Sequence, residues 1–141
     1  MGSVLRTVAC IIAIASLQVG NPTLAQQPPK QMKLTTSQIE AYLAAQPEVF
    51  AIQKKILMGE ISGSDPSVVA DVERAVKRHG LRDRMEYSDV LKNLILVFNH
   101  IDPETKTLKD KSKAKQEIKY AGNVDLVIQY YDRIRTAFVG P

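Results

Sequence analysis

Apolar residues recur at helical steps along four stretches of this chain, and the densest is Met85–Ile101, MEYSDVLKNLILVFNHI. There Val90, Leu91, Leu94, Val97, Phe98 and Ile101 follow one another three or four positions apart, while Ile95 and Leu96 widen the face beyond a narrow stripe. A helix so apolar needs cover on most sides, so the other elements are expected to assemble around it.

Upstream, Ile39, Tyr42, Leu43, Val49, Phe50, Ile56 and Leu57 mark a first helix. Thr35 with Gln38 has the spacing of a capping box, and Leu34 with Ile39 that of a hydrophobic staple. Gly59 suits the helix end. Pro47 falls inside, where it removes a backbone donor and crowds the preceding turn, so the pattern predicts a kink or two abutting helices. Asp65 before Pro66 predicts the start of a second helix, since proline at the first helical position loses no bond. Its inner side is Val68, Val69, Val72, Ala75 and Val76, its last turn carries Lys77, Arg78 and His79, and Gly80 ends it. Asp83 with Glu86 resembles a capping pair for the central helix, which Asp102-Pro103 should close.

From Glu104 to Lys119 the periodicity fades, leaving Leu108 and Ile118 as anchors in what is expected to be a mobile connection with one short helical piece. A final helix is expected with Asn123 as its cap and Val124, Val127, Ile128, Tyr131, Ile134 and Phe138 on one face. The pattern predicts an all-α fold, an irregular bundle of about four amphipathic helices forming one domain over 34–139. No period of about 20–50 residues repeats.

The first 25 residues are polar only at their margins. Arg6, the apolar run Val8–Leu17 and Thr23-Leu24-Ala25 match the start, body and cleavage site of an export signal. Cleavage is expected after Ala25, with Gln26 to Lys33 as a disordered lead-in. The apolar run stops well short of the roughly 20 residues that span a bilayer, so no transmembrane helix is expected in the mature chain. Cys10 is the sole cysteine and precedes Ile11–Leu17, so it is read as part of the apolar run rather than as a lipid-bearing residue. The mature chain then has no thiol, which excludes disulfides, a catalytic cysteine and a zinc-thiolate cluster.

The formal charge is +4, and loss of the leader with its single basic residue would leave +3. That excess is too small for dense phosphate contact, and export argues further against nucleic acid. Neither His79 nor His100 has a partner at a spacing such as His-Glu-x-x-His. The serines form no Gly-x-Ser-x-Gly turn, and there is no glycine-rich phosphate loop. Glu40, Glu48, Glu60, Asp71, Glu73, Asp83, Glu86 and Asp89 are scattered among Lys and Arg on polar faces, as in the i,i+4 pair Glu73 and Lys77. Asp102, Glu104 and Asp110 lack the glycine and alternating ligands of a calcium loop. No enzymatic activity and no metal or cofactor is expected.

Two features stand out. Lys106, Lys109, Lys111, Lys113, Lys115 and Lys119 place six cations in one short stretch, which reads either as a solvated connector or as a contact for an anionic partner. In QYYDRIR, Tyr131 faces inward by phase, which turns Tyr130 toward a flank beside Arg133, a candidate interface pair.

In their order, LTTSQIEAYLAAQ, RHGL, NHIDPETK and NVDLVIQYYDRI resemble a family of small secreted, uncharacterised helical proteins of Gram-negative bacteria, over about Leu34 to Phe138. Pro47 departs from that pattern. The resemblance implies a periplasmic or secreted location and carries no catalytic residues. The expected function is therefore an exported, non-enzymatic helical protein that binds another envelope component. The alternative is a membrane-surface or polyanion binder acting through 106–119.

Overall fold

The computed structural model describes residues 29–139, so the leader, its cleavage site, Cys10 and residues 26–28 lie outside the described residues. Within them the chain forms six α-helices: α1 Thr36–Leu57, α2 Pro66–Arg78, α3 Arg84–Phe98, α4 Lys111–Glu117, α5 Gly122–Gln129 and α6 Tyr131–Val139. The all-α bundle is thus observed with six helices where about four were expected. Two causes account for the difference: the lysine-rich connection contains α4, and the final helix breaks at Tyr130.

Local signals set most of the helix ends. Thr35 accepts from the Gln38 amide while Gln38 accepts from the Thr35 N–H, both at 3.2 Å, which completes the capping box. Leu34 and Ile39 are both buried, as a staple requires. At the other end of α1, Gly59 has φ +73°, and its N–H and that of Glu60 donate to Ile56 and Lys55. Gly80 at φ +96° closes α2 in the same way, with Leu81 buried behind it. Both are paired-bond left-handed stops that glycine adopts without a Cβ penalty. Asp65 caps α2 through Ser67 N–H at 2.8 Å.

Pro47 does not split α1, which runs unbroken for 22 residues. The proline is exposed, so its ring meets solvent, and Leu43 lacks only the carbonyl partner that Pro47 cannot supply.

Helix α1 packs on α2, α3 and α6, and α3 packs on α1, α2 and α5. The spine of the bundle is therefore the α1–α3 pair rather than α3 alone. Between them Tyr42 and Tyr87 stack at 5.0 Å, both buried, and burial raises both phenol pKa values. Phe98 stacks on Tyr131 at 4.7 Å and meets Phe138 edge-on at 5.2 Å, which seats α6. The far end of α1 escapes this core: Leu57, expected on the inner face, is 69 % exposed, beside Met58 at 64 %.

Carboxylates tie the helix starts together. Asp83 caps α3 through Glu86 N–H, but the Glu86 side chain reaches the Arg82 N–H at 2.7 Å and the Gln38 amide of α1 at 2.9 Å. Glu73 of α2 accepts from Arg84 N–H at 2.9 Å. These backbone donors lower the pKa of both glutamates.

Helix α3 ends at Phe98, short of Asp102-Pro103, because the chain turns there to pair Ile101 with Leu108 in one antiparallel bridge. The Asp102 carboxylate accepts from Glu104 N–H, Thr105 N–H and the Thr105 hydroxyl, building the turn in which Lys106 takes φ +53°.

Leu94→Ala, at a site with no exposed surface, should cost about 2–5 kcal/mol. A denaturant midpoint equal to that of the parent would contradict this core. Because the folded-state pKa values of Glu73 and Glu86 are lowered, their contribution holds above the ordinary glutamate range near ~4.3 and is lost as pH falls through the lowered values. Glu86→Gln should therefore lower stability at neutral pH and flatten the acid limb of a stability–pH curve. An acid limb as steep as the parent's would contradict the assignment.

Candidate functional site

The six lysines of the connection do not share one environment. Lys106 places its ammonium 2.6 Å from Asp132 of α6. Lys109 donates to the Asn99 carbonyl at 3.1 Å, satisfying one of the acceptors left open at the end of α3. Lys113 lies 3.9 Å from Glu117, whose other oxygen meets Nε2 of the buried His100 at 2.9 Å. Lys111, Lys115 and Lys119 are exposed and, among the described residues, have no acidic partner. The Lys119 ammonium sits 5.4 Å from the centre of the half-buried Tyr120 ring.

Helix α4 orders this stretch although it has only seven residues. Asp110 caps it through Lys113 N–H at 2.9 Å, and Ala114 with Ile118 enters the core. Its far end is closed from a distance. The Gln31 side chain donates to the Glu117 carbonyl and accepts from Lys119 N–H, each at 2.7 Å.

Gln31 can do this because residues 30–34 are not a disordered lead-in but an extended strap held by two side-chain amides. Asn93 of α3 accepts from Met32 N–H at 3.0 Å and donates to the Lys30 carbonyl at 3.0 Å. Asn123 of α5 accepts from Leu34 N–H at 2.9 Å and donates to the Met32 carbonyl at 2.8 Å. Asn123 was expected to cap the final helix. It stands inside α5 instead, after Ala121, which makes no side-chain cap. The strap's backbone took that amide because a segment with no neighbouring strand must find its hydrogen bonds elsewhere. Lys30 and Lys33, one and two residues from Gln31, remain exposed.

The second candidate looks inward. Tyr130 is only 8 % exposed, so it is not the exposed anchor its phase suggested, because the helix break at this residue turns it into the core. Arg133 makes a two-pronged contact with Glu40, both arms at 2.7 Å, and its guanidinium lies 5.3 Å from the Tyr130 ring centre. That contact holds the Glu40 pKa below the usual range, and the carboxylate in turn raises the Tyr130 phenol and the guanidinium. Beside them Leu43, Gln46, Pro47, Asp132, Arg133, Thr136 and Ala137 line an open groove of about 470 Å³ between α1 and α6. Gln46 crosses under it to donate to the Ala137 carbonyl at 2.7 Å.

The remaining histidine, His79, meets Glu48 at 2.7 Å, and Arg78 meets the same carboxylate at 2.8 Å, joining α2 to α1. The His79 contact is the main cause of the lowered Glu48 pKa. Among the described residues no three His, Cys, Asp or Glu side chains are placed to hold a metal ion. Nor is any helix there long and apolar enough to cross a membrane.

Lys30 and Lys33 were missed in reading the sequence, yet a signal existed. Asn93 shares its face with Val90, Leu94 and Val97, and a buried amide on an apolar face implies a backbone client. No family model, curated protein or solved structure matches this chain.

Asn123→Ala should strand the Leu34 N–H and the Met32 carbonyl and cost about 1–3 kcal/mol. Hydrogen exchange at Leu34 should rise well above that at core amides of α3. Unchanged protection there would show that the strap does not depend on the amide.

Proposed function

We propose that this chain is an exported, non-enzymatic helical protein that docks on another component of the cell envelope, in the first reading an envelope protein. One observation carries the reading: among the described residues, five glutamates at the helix joints and both histidines are engaged within the fold, whereas several lysines are left facing solvent. Glu48 is held by His79 and Arg78, Glu117 by His100 and Lys113, Glu40 by Arg133, and Glu73 and Glu86 by backbone donors. Export is supported by the arrangement of Arg6, Val8–Leu17 and Thr23-Leu24-Ala25. The order of the LTTSQIEAYLAAQ, RHGL, NHIDPETK and NVDLVIQYYDRI stretches supports membership of the small secreted family of Gram-negative bacteria.

The second reading is a binder of anionic surfaces acting through the segment Lys106–Lys119. Lys111, Lys115 and Lys119 favour it, since an unpaired exposed cation can meet an external anion without first breaking an internal contact.

Expression of the full chain with a C-terminal tag in a Gram-negative host tests both readings. The protein should appear in the periplasmic fraction with Gln26 as its first residue, and retention in the cytoplasm with the leader intact would overturn export. Association with the envelope fraction that survives high salt supports a protein partner, while loss at high salt supports an anionic one. Absence from the envelope fraction at low salt would overturn docking altogether.

A further inference from the structure

We propose that the anion-binding surface is a composite face, formed by Lys30 and Lys33 of the strap with Lys111, Lys115 and Lys119, and that it docks on the anionic headgroups of a bilayer. This rests on the anionic-surface reading above and names both its residues and its partner.

The geometry that assembles the face is the Gln31 side chain, which meets both the Glu117 carbonyl and the Lys119 N–H at 2.7 Å. Lys30 and Lys33 sit one and two residues from Gln31, and an extended chain advances about 3.3 Å per residue. The backbones of the strap lysines therefore lie within about 7 Å of that of Gln31, whose side chain touches the end of α4, a separation comparable with the screening length of about 10 Å at moderate salt. Segments 86 and 88 residues apart in the chain thus share one electrostatic field. Two local acids reduce it without cancelling it: Glu117 offsets the neighbouring Lys113, and Asp110, which caps α4, keeps its negative charge beside Lys111, so the five lysines of the face still outnumber them. By contrast Lys106 and Lys109, which open the linear run, are turned to Asp132 and to the Asn99 carbonyl.

The chemistry of the face points to lipid rather than to a fixed acidic ligand. It contains no arginine fork for a rigid carboxylate or phosphate, only lysine point charges on flexible stems, which suit an array of mobile headgroups. At its edge the half-buried Tyr120 lies beneath the Lys119 ammonium, an apolar ring with a polar tip of the kind that settles at the headgroup level.

The test uses processed protein recovered from the exporting host, sedimented with vesicles of phosphatidylglycerol and phosphatidylcholine in equal parts, with phosphatidylcholine alone as the blank. Three charge-reversed variants are compared: K30E/K33E, K111E/K115E/K119E, and K54E/K55E as a control equal in charge change to the first. Lys54 and Lys55 are exposed near the end of α1 opposite the strap, about 30 Å away along a helix of 22 residues. Circular dichroism checks that each variant remains helical.

The parent should bind the anionic vesicles and release at high salt. K30E/K33E should weaken binding at least about tenfold, since each surface lysine near an anionic bilayer is worth roughly fivefold in affinity. The triple variant should weaken it as much or more, and K54E/K55E should stay within about twofold of the parent. If K30E/K33E behaves like K54E/K55E while the triple variant fails, the composite face is overturned and the linear reading survives. If the parent ignores anionic vesicles, the membrane proposal falls. Capture by an acidic polysaccharide with the same variant pattern, but no vesicle binding, would reassign the face to polysaccharide.

Discussion

A length of backbone laid against a helical core has no ladder of its own, and here two asparagine amides provide one. Asn93 and Asn123 each accept from one strap N–H and donate to one strap carbonyl, imitating the edge of a β-strand with side chains. Three consequences follow from that pairing. It covers the joint between α3 and α5, it places Leu34 where the staple of α1 needs it, and it positions Gln31 to finish α4. A buried polar group is costly when unpaired, so a pair of amides bonded through both oxygen and nitrogen specifies one register for the strap and disfavours the neighbouring ones.

The charged residues divide by the same logic. Those near the core act as fasteners between elements: Glu48 joins α1 to α2, Glu73 joins α2 to α3, Glu86 joins α3 to α1, and Glu40 joins α1 to α6. Exposed pairs of this type add little energy each, but those that also receive backbone donors fix the helix starts in space. Of the cations left over, Lys111, Lys115 and Lys119 belong to α4 and the residues just after it, while others such as Lys54 and Lys55 lie at the far end of α1.

How much of this could be read in advance depended on the range of the interaction. Thr35 with Gln38, Asp65 before Pro66, and the stops at Gly59 and Gly80 act within a few residues, and their signatures translated directly into helix ends. Asn123 did not, because its residue type suits a cap locally while its actual client lies 89 residues upstream. The polar lead-in hides its order for the same reason: QQPPKQMK contains no local ordering signal, and its part from Lys30 to Lys33 is held by side chains from α3 and α5. Tyr130 was placed outside by extending one helical phase across the break that separates α5 from α6. The lysine run looked uniform because partners such as Asp132 and the Asn99 carbonyl are invisible to a linear count.

Pro47 leaves a seam in the longest helix. Without a donor at that position the hydrogen-bond ladder of α1 is interrupted one turn back, so its two halves are coupled by packing more than by backbone. The half toward Thr35 is locked by the staple, the capping box and the Glu40 contact. The other half ends at solvent-facing Leu57 and Met58, and its Glu48 meets Arg78 and His79 at the end of α2. The distal turns of α1, with few apolar side chains buried at their tip, are thus the part of that helix with the least to hold it shut.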